Sequence, residues 1–171
     1  PRTLEEREAL LSRLAATSES SASVPEWEGI QKDGGRIVFQ DYRDNNWEIY
    51  AAPSDGGAAV RLTSDGASDL EPEISPDMSR IVFSSRRTGN YDLFRMNADG
   101  SGLVQLTNTG ATDSGATWSP DGQRIAFQSN RDGDYDIYIM NANGGNVVQL
   151  TANPDYDGEP TWSPDGTRIA F

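Results

Sequence analysis

The feature that most constrains this chain is an internal repeat. Ile37-Val38-Phe39, Ile81-Val82-Phe83, Ile125-Ala126-Phe127 and Ile169-Ala170-Phe171 recur with a constant step of 44 residues. Leu62-Thr63, Leu106-Thr107 and Leu150-Thr151 keep the same step, as do Arg43, Arg87 and Arg131, and Glu48, Asp92 and Asp136. Trp118 and Trp162 share a phase that Ile30 and Ile74 occupy in the earlier copies. Many positions holding one phase with no insertion mark units that stack, each covering an apolar face its neighbour cannot bury alone.

Within a period, four short strands are expected. In the third copy they fall at 116–119, 124–129, 135–141 and 147–151, separated by Pro120-Asp121-Gly122, Arg131-Asp132-Gly133-Asp134 and Asn143-Gly144-Gly145. Pro presets φ in such turns and Gly accepts positive φ. Runs this short between Gly, Asp and Asn turns are the pattern of antiparallel hairpins. Ile125-Ala126-Phe127 and Ile137-Tyr138-Ile139-Met140 are continuously apolar. Strict alternation would mean one wet face, so these sheets are expected to be covered on both. Four-stranded sheets of this period, stacked on copies of themselves, are propeller blades; a β-solenoid usually has shorter repeats.

The copies resemble the PD40 repeats of the TolB-like propeller family. The matching text is Trp118-Ser119-Pro120-Asp121-Gly122, Arg124-Ile125-Ala126-Phe127, Ser129, Arg131, Gly133, Asp136-Ile137-Tyr138 and Leu150-Thr151. Trp162-Ser163-Pro164-Asp165-Gly166 and Arg168-Ile169-Ala170-Phe171 repeat its opening. The pattern decays in the first copy, Gln31-Lys32-Asp33-Gly34, and in the second, Ser75-Pro76-Asp77-Met78, where Met stands for the turn Gly. The resemblance implies an all-β propeller used for protein–protein contact, in the periplasm or outside the cell.

The expected organisation is an N-terminal helical segment over 1–17, a linker over 18–23 and blades over 24–171. The blades fall at about 24–66, 67–110, 111–154 and a partial 155–171. The helix, over about 3–16, rests on the capping box Thr3-Leu4-Glu5-Glu6 and the stripe Leu4, Leu11 and Leu14. Three full copies and half of a fourth do not close a ring. A longer propeller, or completion by another copy or another subunit, are the two expectations.

Charge and composition narrow the function. The net charge of −13 repels phosphate backbones and anionic lipid, so a protein partner is expected, not nucleic acid. No run approaches the roughly 20 apolar residues that span a bilayer, so no membrane insertion is expected. No signal peptide is visible, although the chain begins at Pro1 and a removed targeting segment stays open. With no His and no Cys, the chain cannot itself supply a Ser-His-Asp arrangement or a Cys/His zinc site. Taken with what the resemblance implies, a non-catalytic scaffold of the envelope or extracellular space, without cofactor, is expected. The alternatives are the propeller portion of a larger, prolyl-oligopeptidase-like hydrolase, and a structural subunit of a surface assembly.

Two sets of residues are singled out. Arg87 with Asp92, and Arg131 with Asp136, flank one hairpin turn and are expected to pair across it. Asp69, Asp113 and Asp157 share a phase in the links between blades. Together with Asp44, Asp132 and Asp134 in the hairpin turns, and with Trp47, Tyr91 and Tyr156, they are expected to form a partner-binding face. The competing reading is that each Asp caps its own loop. Asn153, Asp155 and Asp157 begin like a calcium loop but lack its closing Glu, since position 164 is Pro, so no metal is expected there.

Overall fold

A computed structural model describes residues 35–43 and 45–171. The expected helix, the linker and Asp44 lie outside the described residues. Among the described residues thirteen strands follow one another: β1 (Arg36–Arg43), β2 (Asn46–Pro53), β3 (Val60–Arg61), β4 (Asp69–Ile74), β5 (Arg80–Ser85), β6 (Asp92–Asn97), β7 (Val104–Gln105), β8 (Asp113–Trp118), β9 (Arg124–Ser129), β10 (Asp136–Asn141), β11 (Val148–Gln149), β12 (Thr161–Trp162) and β13 (Ile169–Ala170). They form four antiparallel meanders, β1-β2-β3, β4-β5-β6-β7, β8-β9-β10-β11 and β12-β13. Among the described residues no helix is long and apolar enough to cross a membrane.

Each sheet packs on the next, β4 against β1 and β2, β8 against β4, β5 and β6, and β12 against β8. Side chains on alternate faces of one strand therefore enter two different cores. On β5, Ile81 and Phe83 join Ile49, Phe94 and Met96 between the first and second sheets. Val82, with Leu93, packs instead on Trp118, Ile125, Phe127, Tyr138 and Met140 between the second and third. This is why the runs are continuously apolar: both faces are dry.

The repeated residues each have a physical job. Phe39–Tyr50, Phe83–Phe94 and Phe127–Tyr138 are directly opposite one another in register and stack at 5.9, 6.1 and 5.8 Å between ring centroids. The Leu-Thr pair supplies a clamp. The Thr63, Thr107 and Thr151 hydroxyls each accept a backbone N–H, from Ile49, Leu93 and Ile137, all at 2.9 Å. The same hydroxyls donate to Glu48 at 2.6 Å, Asp92 at 3.4 Å and Asp136 at 2.9 Å. Each indole after the first strand ties two sheets together: Trp118 Nε1 donates to the Glu73 carbonyl at 3.2 Å, and Trp162 Nε1 to that of Thr117 at 3.3 Å.

The Ser-Pro-Asp turns close on themselves. Asp77 Oδ1 accepts from Ser75 Oγ at 2.6 Å, from Ser79 N at 3.0 Å and from Ser79 Oγ at 2.8 Å. Ser75 Oγ in turn accepts the Arg80 N–H at 3.0 Å. Hydrogen bonding from Ser75 and Ser79 holds the Asp77 carboxyl down at about 2. Met78 keeps the turn at φ 62°, against 67° for both Gly122 and Gly166, so the substitution changed the residue and not the backbone.

Candidate interaction face

At one end of the blades the hairpin turns meet the links between sheets. Asn46 Nδ2 donates to the Asp65 carbonyl at 3.0 Å and to that of Ala67 at 2.6 Å. One period later Asn90 Nδ2 donates to the Ala111 carbonyl. Side-chain amides thus bind each link to the hairpin beside it, satisfying carbonyls that no strand partner reaches.

The arginines at this end do not pair as expected. Arg87 Nη2 lies 3.0 and 2.9 Å from the two carboxylate oxygens of Asp69 and 2.7 Å from Asp65, not against Asp92. Arg131 Nη2 meets Asp113 at 3.0 Å, not Asp136. Asp92 and Asp136 are already taken by the Thr clamps and by Gln105 and Gln149, each at 3.2 Å. Both guanidiniums also lie over the stacked rings, Arg87 at 4.7 Å from Phe94 and Arg131 at 4.5 Å from Tyr138. Cation–π attraction and the buried carboxylate hold each arginine in one place. In the sequence Pro25 stands one period before Asp69; Arg43 pairs with Asp41 at 2.6 Å and lies over Tyr50.

This corrects the reading of the partner face. Asp69 and Asp113 are the first residues of β4 and β8 and are fully buried, so they offer nothing to a partner. Burial pushes the Asp69 carboxyl up, against the opposing pull of Ser85 and Arg87. Neither residue caps its loop as the competing reading had it; both are ion-paired to a neighbouring strand's turn.

The aromatic residues stand differently. Trp47, 37% exposed, tilts against Tyr42 at 5.3 Å, and Tyr156, 63% exposed, tilts against Tyr135 at 5.5 Å. Tyr91 is half-buried, with Arg86 5.3 Å from its ring centroid. Beside Arg86 and Arg87 an open groove of about 600 Å³ runs between the first link, at Asp65–Ser68, and the second hairpin. Asp132 is exposed and accepts from Gln149, which holds its carboxyl below the ordinary range. Asp157 is half-buried and accepts from Asn153 Nδ2 at 2.6 Å. Asn153 Oδ1 accepts the Asp155 N–H at 2.9 Å, so this short loop satisfies its own oxygens.

Asp134 is the exception to the pattern. It holds the phase at which Asn46 and Asn90 donate to a link carbonyl, and a carboxylate cannot donate. Its Oδ2 is shut from solvent without a hydrogen-bond partner. Asp132, Asp134 and Asp136 each bring a carboxylate oxygen within 4.8 Å of the others.

Sequence reasoning missed one further device. Glu71, Gly115 and Glu159 share a phase and all have positive φ, 53°, 61° and 53°. At Glu71 and Gly115 the register of β4 and β8 slips by a bulge. The freed amides find side chains: Gln40 Oε1 accepts from Glu71 N at 2.6 Å, Glu71 Oε2 from Gly115 N at 2.8 Å, and Gln128 Oε1 from Glu159 N at 2.9 Å. Only the Gly at the middle position hinted at it.

Four-stranded antiparallel sheets stacked face to face, with the first strand of each against its neighbours, define the class: a β-propeller. Residues 113–171 match the family model described as PD40, TolB beta propeller domain. The fold is that of a TolB-like β-propeller, and the PD40 match lies in the C-terminal third of the chain. Among solved structures it is similar to a putative TolB from Agrobacterium tumefaciens, with 27% identity and a TM-score of 0.71, covering 78% of this chain and 48% of that one. It is also similar to TolB from Acinetobacter baumannii, with 27% identity and a TM-score of 0.70, covering 79% and 34%. The tricorn protease shares the fold at 13% identity and a TM-score of 0.60, covering 80% and 14%. The chain thus spans about half the length of the first of these proteins and a third of the second. No curated protein matches the sequence.

Proposed function

We propose that these blades are a non-catalytic scaffold of the cell envelope or extracellular space, binding a protein through the end where hairpin turns meet links. The observation that carries this reading is the pair of exposed aromatic contacts, Tyr42–Trp47 and Tyr135–Tyr156, set among aspartates. Exposed aromatic anchors are the residues that most often dominate protein interfaces. An acidic surround on a chain of net charge −13 favours a partner segment that carries Lys or Arg. The TolB resemblance supports the envelope setting, and the fold shared with the tricorn protease is the support for the alternative, blades beside a hydrolase domain.

The test is quantitative capture of solubilised envelope proteins on the immobilised chain. The double variant Trp47→Ser/Tyr156→Ser should lower capture of the specific partner by roughly tenfold or more, as loss of aromatic hot spots does. Leu103→Ser, on an exposed turn at the other end of the blades, should leave it unchanged. Equal capture by all three chains would sink the proposal.

A further inference from the structure

The interfaces that the second sheet makes with the first and with the third handle positive charge differently at the Ser-Pro-Asp end, opposite the candidate face. In the first, Arg36 Nη1 donates to the Ala98 carbonyl at 2.7 Å, and the charge of Asp99 acts on the same guanidinium. One period later the corresponding residues are Arg80, Ala142 and Asn143. Here Arg95 Nη1, from β6, takes the Ala142 carbonyl at 3.0 Å. Arg95 has no counterpart in the other sheets, where Ala51 and Ile139 hold its phase.

Two consequences follow. Arg80 loses the carbonyl its counterpart uses, and its guanidinium makes no hydrogen bond or ion pair among the described residues. The neutral Asn143 stands where the acid stood, so the second interface gains a cation and loses an anion. Val82 lies opposite Arg95 in register, which makes Arg80 its diagonal neighbour on the face turned to the third sheet. Burial, and then the charge of Arg80, push the Arg95 guanidinium down from its ordinary value. Asp77 is near Arg80, but the oxygen it presents to the turn is already bonded to Ser75 and Ser79.

The space beside Arg80 is an open pocket of about 500 Å³, lined by Arg80, Gln123, Arg124, Asn141, Ala142 and Asn143, of which Arg80, Gln123 and Asn143 are solvent-exposed. Arg124 adds charge but directs its guanidinium over Trp162 at 4.6 Å. The side chains of Gln123, Asn141 and Asn143 bring neutral amides to the same wall. We propose that this pocket binds a compact oxyanion, a carboxylate or a phosphate, with the Arg80 guanidinium as its principal donor. A forked guanidinium with no hydrogen bond or ion pair among the described residues matches the geometry of such a group. The occupant is compact because the rest of the chain, at −13, repels an extended polyanion.

The site is independent of the candidate interaction face, so the Trp47→Ser/Tyr156→Ser chain should bind the anion as the unaltered chain does. The experiment is an NMR titration of the arginine Nε–Hε resonances with inorganic phosphate and, separately, with acetate. The Arg80 signal should shift and saturate, with the tighter of the two anions identifying the source of the oxyanion. The side-chain amide signals of Gln123 and Asn143 should shift with it, and Arg80→Gln should abolish that amide response. Asn143→Asp, which restores the acid of the first interface, should weaken it by about tenfold. Arg168→Gln, an exposed arginine of the same repeat phase outside the pocket, should leave it within about twofold. Failure of both anions to saturate, or an equal loss in Arg168→Gln, overturns the proposal.

Discussion

The second and third sheets are built from one pattern, yet they live in different surroundings. Both stack an aromatic pair under an arginine and both bury an aspartate at the start of the first strand. The second sheet is packed on both sides, by the first sheet and by the four-stranded third, and Leu106 after its last strand is 9% exposed. Leu150, at the same phase in the third, is 47% exposed. Arg87 has two carboxylates, Asp65 and Asp69, where Arg131 has Asp113 alone and Thr109 replaces the other acid. Identical sequence signals therefore do not carry identical energies; what each neighbour covers decides their worth.

The largest break in the comparison should come from the arginine. Arg87→Met leaves Asp69 buried without its partner and should cost about 3–5 kcal/mol, seen as a lower urea midpoint. Arg131→Met should fall in the same range, and a loss below about 1 kcal/mol in both would mean the pairs are solvated in solution. Next in size is the leucine pair. Leu106→Ala should cost about 2–4 kcal/mol and Leu150→Ala under about 1 kcal/mol, measured in the same denaturation experiment. Equal costs would show that Leu150 is covered in solution.

The smallest change sharpens the comparison at the link. Asp134→Asn restores the donor that Asn46 and Asn90 provide and relieves a buried, unpartnered oxygen. It should raise stability by about 1 kcal/mol, and Asn90→Asp should lower it by a similar amount. A destabilised Asp134→Asn chain would show that the carboxylate does something its neighbours in the repeat do not.

Much of the fold was legible because the repeat supplied several independent views of each position. The Ile-x-Phe runs fixed the second strands, with 124–129 expected and Arg124–Ser129 found. First strands were harder: Asp69–Ile74 reads Asp-Leu-Glu-Pro-Glu-Ile, with no alternation to mark it, so Asp69 was placed in a link and thought exposed. The arginine partners were misread for a related reason. Asp92 is five residues from Arg87 and Asp69 is 18 away, and proximity along the chain favoured the wrong one. Asp92 is claimed instead by Thr88 within its own hairpin at 2.6 Å and by Gln105 and Thr107 at 3.2 and 3.4 Å. Of the face, the exposed aromatics Trp47 and Tyr156 were legible as such, while the burial of Asp69 and Asp113 was not. That Arg80 lacks a partner among the described residues was hidden too, since it depends on which of two arginines wins one carbonyl.

The serine–aspartate turns carry a consequence for how the molecule assembles. Every contact that closes Ser75 to Arg80 lies within six residues, as it does for Ser119 to Arg124 and Ser163 to Arg168. Such a corner needs no help from distant chain, so hairpins can be in place before any stacking begins, whereas the indole ties span 45 residues and must wait for it. Growth of the stack then resembles a zipper with ready-made teeth, able to start at any unit and advance by docking the next.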